Sequence, residues 1–167
     1  MNEQSAYLGF GSNLGASLST LRKARQLLHA TPGIRVIAVS ALYHTTPVGG
    51  PPDQPDYLNG VMEIGTTLEP LPLLHCCQRL EERFGRQRTI RWEARTLDID
   101  LLLYADRVID TIELQLPHPR ISERGFVLQP LCDLAADRLH PVLQTPYAEL
   151  LAQISPLQGV LRLQEVW

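Results

Sequence analysis

Two aspartates separated by one isoleucine, Asp98-Ile99-Asp100, have the residue types and spacing most suited to chemistry. They sit in the run Arg95-Thr96-Leu97-Asp98-Ile99-Asp100-Leu101-Leu102-Leu103-Tyr104, which reads as a strand because it is short, apolar and ends before Ala105-Asp106-Arg107. Side chains alternate along a strand, so Leu97, Ile99, Leu101 and Leu103 are expected on one face and Asp98, Asp100, Leu102 and Tyr104 on the other. Two carboxylates that close repel each other unless a cation lies between them, and oxygen donors at this spacing suit a hard ion such as Mg²⁺. Six of the fifteen basic residues, Arg79, Arg83, Arg86, Arg88, Arg91 and Arg95, lie just upstream. Metal-binding acids beside guanidinium groups point to a phosphorylated substrate.

Aromatic and amide groups form a second set. Tyr57 and Asn59 are two apart at a strand entry and share a face, offering a ring for stacking and an amide for hydrogen bonds, which suits a flat heterocycle. Trp92, in a polar loop, and Phe126 add aromatic surface. Gln78 and Glu81 lie three residues apart beside a helical apolar stripe. His118, between two prolines and six residues before Arg124, could reach a phosphate, although alone it reads as structural; His29, His44, His75 and His140 have no ligand spacing. The run Gly9-Phe10-Gly11-Ser12-Asn13-Leu14-Gly15 is no dinucleotide fingerprint, since G-x-G-x-x-G would need glycine in place of Leu14, and no G-x-x-x-x-G-K-[ST] occurs. Its glycines read as a tight turn where a backbone or ligand comes close.

The elements that must position these groups follow from periodicity. Residues 6–10 read as a strand leading into the glycine turn. Leu18, Leu21, Ala24 and Leu28 recur at helical spacing, with Ser17 as N-cap and Pro32-Gly33 as the stop. Residues 34–43 and 57–64 read as strands, joined by a proline- and glycine-rich loop over 44–55. A second helix has Pro72 in its first turn, a stripe of Leu73, Cys76, Cys77, Leu80 and Phe84, and Gly85 as its end. Residues 86–94 form an arginine-rich loop before the aspartate strand. The order strand, helix, strand, strand, helix, strand predicts an α+β fold with a ferredoxin-like βαββαβ core and helices on one sheet face. Asp98 and Asp100 would then lie toward the uncovered face. Downstream, a short helix opened by Ser122 or Glu123 and running through Leu128 to Leu134, a second over 147–154 and a strand over 160–166 form a C-terminal extension.

A chain of 167 residues with 44% hydrophobic and 20% charged residues fits one globular domain over residues 1–167. The net charge of -3 argues against a general nucleic-acid binder. The basic residues are fourteen Arg and one Lys, Lys23, a bias that suits two-pronged phosphate contacts and that a GC-rich genome would equally produce. Cys76, Cys77 and Cys132 form no disulfide framework and no C-x-x-C pattern, so reduced thiols in a cytoplasm are expected. No apolar run approaches the roughly 20 residues of a membrane span, and the polar start is not a signal peptide.

Four blocks, in order and spacing, resemble one family: Gly11-Ser12-Asn13-Leu14-Gly15; Asp53-Gln54-Pro55-Asp56-Tyr57-Leu58-Asn59; Arg91-Trp92 with Arg95-Thr96-Leu97-Asp98-Ile99-Asp100; and Pro117-His118 with Arg124-Gly125-Phe126. The family is the 6-hydroxymethyl-7,8-dihydropterin pyrophosphokinases of folate synthesis. The resemblance implies transfer of pyrophosphate from ATP to the hydroxymethyl oxygen of the pterin, leaving AMP. It implies that Asp98 and Asp100 bind two Mg²⁺ ions and that Arg86 and Arg95 assist catalysis. Gln78, Glu81, Arg88, Arg91, His118 and Arg124 match nucleotide contacts, and Thr45, Val48, Tyr57, Asn59, Trp92 and Phe126 match positions around the pterin. Residues 85–94 would form a loop, mobile without ligand, that closes over ATP and excludes water. Glu93 stands where the family usually has a small residue, and Pro119 where it has an aromatic one.

The expected partners are thus ATP and the pterin, with no nucleic acid and no membrane, and the expected state is a monomer. Two other readings use the same residues. One is a two-metal phosphoesterase, which would draw on more acids and histidines than the chain offers nearby. The other is an RNA-binding module stacking bases on sheet aromatics, which lacks the K/R-G-F/Y pattern.

Overall fold

The computed structural model describes residues 2–47, 49–85 and 96–167. Its elements, in chain order, are β1 (Gln4–Ser12), α1 (Ser17–His29), β2 (Ile34–Val39), β3 (Tyr43–Thr45), β4 (Tyr57–Thr66), α2 (Pro70–Arg83), β5 (Asp98–Tyr104), β6 (Ile109–Asp110), β7 (Gln115–Leu116), a 3-10 turn (Ile121–Glu123), α3 (Gly125–Ala135), α4 (Tyr147–Ile154) and β8 (Val160–Arg162). This is a mixed α and β fold with an antiparallel sheet and four helices. The sheet order is β5-β1-β4-β3-β8, with β2 also paired to β4. β6 and β7 form a separate small hairpin that the sequence pattern did not reveal.

Two apolar clusters flank the sheet. On one face Ala6, Leu8 and Phe10 of β1, Met62 and Ile64 of β4, and Ile99 and Leu101 of β5 meet Leu21, Ala24 and Leu28 of α1 and Leu73, Cys76, Cys77 and Leu80 of α2. Burying a leucine of this kind contributes ~1.5–3 kcal/mol. On the other face Tyr7, Val61, Leu102 and Leu103 meet Val127, Leu128 and Leu131 of α3 and Tyr147 and Leu150 of α4. Helices therefore cover both faces, which corrects the expectation of one covered face. The extension is apolar along one side of each helix, and α3 and α4 pack together with the side of the sheet that α1 and α2 leave free.

The strand alternation also needs correction. Leu97, Ile99 and Leu101 share the α1–α2 side, but Leu103 belongs to the α3–α4 cluster and Tyr104 to the α1–α2 cluster. A register shift between β1 and β5 at Tyr7/Leu8 pairs Tyr7 with Leu103 and Leu8 with Leu101. The unpaired Leu102 is an extra residue on β5, and it reverses the phase of the strand beyond it.

Other boundaries move for local reasons. β1 extends to Ser12, so Gly9 and Gly11 lie in a strand, and the turn with positive φ is at Gly15 (φ 68°). Ser17 is the first residue of α1, not its cap, and Ala16 takes the cap position. The run 34–43 divides into β2 and β3 at Ser40, whose hydroxyl accepts the Val61 N–H (2.8 Å) in place of a regular ladder bond. β8 stops at Arg162, short of residue 166. The second helix begins at Pro70, and Gly85 at φ 78° ends it as expected.

Candidate active site

The floor of the site is the α3–α4 side of the sheet, at the end where β1 stops and β4 and β5 begin. Gly9 of β1 is opposite Asp100, and Gly11 opposite Asp98; across the other edge of β1, Gly11 is opposite Asn59. Strand neighbours are about 4.8 Å apart, so the carboxylates and the Asn59 amide stand roughly 10 Å apart across a trough floored by two residues without side chains. A Cβ at residue 11 would meet Asn59 Oδ1 at 2.9 Å, so a side chain there would displace the Asn59 amide from its place in the trough.

Above this floor is a cavity of about 340 Å³. One wall carries Thr45, Thr46, Pro47 and Gly49, from β3 and the loop after it; the opposite wall carries Arg124, Gly125 and Phe126, at the start of α3. Asp98, Asp100, Tyr57 and Asn59 line the floor, with Gln54, Arg120 and Glu123 at the margin. The volume lies in the range of small-ligand sites.

The polar groups are fixed by named partners. Asn59, 8% exposed, donates from Nδ2 to the buried Thr45 hydroxyl (2.5 Å). Arg124 Nη1 lies 4.0 Å from Asp100 Oδ2, and its guanidinium sits 5.5 Å from the Phe126 ring centroid. The loop after β3 is held by Asn13, which donates to the Pro55 carbonyl (2.9 Å), and by Gln54, which donates to the carbonyl of Pro51 (3.2 Å).

Glu81 does not line the cavity. Its side chain is buried on α2, and its Oε1 accepts the N–H of Ile99 (2.8 Å), the residue between the two aspartates. Because β5 is at the sheet edge, this carboxylate supplies the acceptor that a further strand would have provided. Thr96 Oγ1 donates to the Phe84 carbonyl (2.6 Å), tying the start of β5 to the end of α2. Gln78 is half-buried on α2 and also outside the cavity lining.

His118 sits behind the site. Its N–H donates to the Leu102 carbonyl (2.9 Å), and its Nδ1 accepts the N–H of Arg120 (3.2 Å). Nδ1 therefore carries no proton in this arrangement, which leaves the neutral ring protonated at Nε2. Burial, then the Arg124 guanidinium, lower its pKa to about 4, against the opposing pull of Asp98. Burial, together with the nearby Cys76, Glu81 and Asp100, raises the Cys77 thiol far above its ordinary range, so it stays protonated. All three cysteines are free.

Of the residues expected at the site, Thr45, Tyr57, Asn59, Asp98, Asp100, Arg124 and Phe126 meet around one cavity, whereas Gln78, Glu81 and His118 do not line it. Val48, Arg86, Arg88, Arg91, Trp92 and Arg95, with the expected lid, lie outside the described residues. Sequence reasoning missed Gly9 and Gly11 as floor residues. Their period-two spacing within an apolar run was the available signal.

The donor set at Asp98 and Asp100 suits Mg²⁺, which takes one or two carboxylates and completes its shell with water and substrate phosphate. Among the described residues, no group of three or more His, Cys, Asp and Glu could hold a metal, and no helix is long and apolar enough to cross a membrane.

Paired carboxylates with an arginine 4.0 Å from one of them at the edge of a small-ligand cavity, on an antiparallel sheet covered by helices, fit the class of a small α and β phosphotransferase domain. The chain belongs to the 7,8-dihydro-6-hydroxymethylpterin-pyrophosphokinase (HPPK) family, whose sequence model matches residues 7–136. It is accordingly a pyrophosphokinase. It is 42% identical over 161 residues to the 2-amino-4-hydroxy-6-hydroxymethyldihydropteridine pyrophosphokinase of Pseudomonas aeruginosa, covering 96% of this chain and 97% of that one. The folic acid synthesis protein fol1 of Schizosaccharomyces pombe is 43% identical over 155 residues; the match covers 93% of this chain but only 21% of that protein. A solved Plasmodium falciparum HPPK-DHPS structure with pteroate has the same fold, with TM-score 0.74 at 16% identity, covering 92% of this chain and 43% of that one.

Proposed function

We propose that this chain transfers pyrophosphate from ATP to the hydroxymethyl oxygen of 6-hydroxymethyl-7,8-dihydropterin and releases AMP, in folate biosynthesis. The observation that carries the reading is the trough: a flat-ring pocket with Tyr57 and Asn59 on one side and a carboxylate pair on the other, one strand apart. For AMP to leave, the hydroxymethyl oxygen bonds to the β-phosphorus of ATP, and the bond from that phosphorus to the oxygen bridging to the α-phosphate breaks. The ring would lie between Tyr57 and Phe126, with Asn59 and Thr45 reading its edge, and Val48 and Trp92 completing the enclosure. Asp98 and Asp100 would hold two Mg²⁺ ions, whose charge would neutralise the triphosphate and orient the hydroxymethyl oxygen toward the β-phosphorus. Arg124 would face the nucleotide, together with Arg88 and Arg91, and Arg86 and Arg95 would balance charge on the group in transfer.

Gln78, Glu81 and His118 would contact the nucleotide, and Glu81 and His118 also hold β5 and the segment before α3 through their contacts with Ile99 and Leu102. The strand order β5-β1-β4-β2 supports the ferredoxin-like reading of the core. The free cysteines fit a reducing cytoplasm, and we infer a monomer.

The test is direct. Incubation with ATP, Mg²⁺ and the pterin alcohol is expected to give AMP, and Asp98→Ala is expected to lower turnover by roughly 10²–10³-fold or more. Undiminished turnover in that variant would remove the metal assignment, and AMP formed equally without the pterin would indicate a hydrolase.

A further inference from the structure

The cavity walls belong to two elements, the loop after β3 and the start of α3. At their far ends they are clasped: Tyr43 Oη donates to the Asp133 carboxylate (2.9 Å), and the Ala41 N–H donates to the same group (3.1 Å). At the mouth, the segment between α4 and β8 touches both walls. Leu157 lies over Gly125, where a Cβ would meet Leu157 Cδ2 at 2.5 Å and no atom outside that side chain is among its nearest neighbours. Two residues on, the Gly159 carbonyl accepts the N–H of Thr46 (2.9 Å). Gly159 takes φ 67°, and a Cβ there would collide with the Thr46 hydroxyl, so both its conformation and its closeness require glycine. Val160 then pairs with Thr45, the hydroxyl partner of Asn59.

From these contacts we infer that residues 157–160 are a brace that sets the width of the flat-ring pocket, with Leu157 as a positioning residue for pterin affinity. Leu157 is not among the cavity-lining residues. It acts by filling the space beside Gly125, so that the start of α3, with Phe126, stands at a fixed distance from Thr45 and Thr46. A pocket for a planar ring is sensitive to that distance, because both ring faces need contact at once, whereas the triphosphate side is set by β5 and Arg124. The inference rests on the proposed pterin reading.

Steady-state kinetics on the full chain test it with Leu157→Ala, Leu157→Met, Gly125→Ala and the double variant Gly125→Ala/Leu157→Ala. Leu157→Ala is expected to raise KM for the pterin roughly fivefold or more while kcat and the KM for ATP stay within about twofold. Leu157→Met fills the same space and is expected to behave as wild type. Gly125→Ala pushes on Leu157 and is expected to raise the pterin KM; the double variant recovers most of it, because the new methyl takes the vacated space. An unchanged pterin KM in Leu157→Ala, or a double variant worse than either single one, overturns the brace. Amide exchange at Thr46 gives a readout that needs no turnover. Faster exchange of that N–H in Leu157→Ala supports the brace, and unchanged exchange counts against it. Absence of pterin-dependent AMP from the wild-type chain would refute the proposed function alone.

Discussion

A single histidine gives the site a pH signature. His118 has its pKa lowered from an ordinary 6.5 to about 4, chiefly by burial and then by Arg124. The unfolded chain therefore binds a proton at higher pH than the folded chain does. Above about pH 6.5 both states hold the ring neutral and it adds no pH dependence. As pH falls from 6.5 toward 4, the unfolded state gains a proton that the folded state refuses, and stability drops by about 1.4 kcal/mol per pH unit. Urea unfolding of wild type and His118→Asn across this window is expected to converge as pH falls, since the variant lacks the titrating group. Parallel curves would show that His118 is not held neutral by the fold. At the same scale, Asn59 was legible as a candidate site residue because an amide beside a tyrosine serves a heterocycle, while Thr45 was reached only through the family resemblance. Their mutual hydrogen bond was not legible, since it joins strands fourteen residues apart in sequence.

Among the elements, β5 shows what alternation can and cannot predict. The shared face of Asp98 and Asp100 follows from period two, and the structure keeps it as far as Leu101. Beyond that, the extra residue at Leu102 reverses the phase, a change written in the pairing with β1 and invisible in the strand's own sequence. The role of Glu81 is equally an element-level fact. The family resemblance gives Glu81 a nucleotide contact, and the fold adds a role the resemblance does not state: its buried carboxylate accepts an edge-strand N–H between the two aspartates. Glu81→Ala is expected to leave that N–H buried without an acceptor, costing about 1–3 kcal/mol of stability. It is also expected to raise the Mg²⁺ concentration for half-maximal activity, while Glu81→Gln, which keeps an acceptor oxygen, stays near wild type in both. A Mg²⁺ requirement unmoved by Glu81→Ala would separate Glu81 from the placement of the aspartates.

For the molecule as a whole, Trp167 is a keystone that sequence position gives no reason to expect. Its ring is 3% exposed, meets Phe10 edge-on at 5.5 Å between centroids, and covers Gly60 so closely that a Cβ there would fall 2.6 Å from it. Its Nε1 donates to the Ser40 carbonyl (2.9 Å) at the break between β2 and β3. Arg22 of α1 donates to the Val166 carbonyl (2.9 Å), so the same segment is also tied to a helix. Trp167→Ala is expected to cost about 3–5 kcal/mol, read as a lower denaturation midpoint with an unchanged denaturant slope. A loss under about 1 kcal/mol would mean that the segment packs only loosely against the sheet.

What the amino-acid sequence determined by itself is what depends on neighbours along the chain. The helical stripes of α1 and α2, their proline and glycine ends, the aspartate strand and the set of polar groups that suits a phosphorylated partner all follow from local spacing. The tertiary structure decided what depends on contacts between distant segments. These are the bulge that re-phases β5, the burial of both sheet faces beneath α1, α2, α3 and α4, and the conversion of Gly9 and Gly11 from a presumed turn into the floor of a trough. The physical reason is the same in each case. Local spacing sets which faces of an element are apolar, but which partner buries each face is settled only when the whole chain competes for the same surfaces.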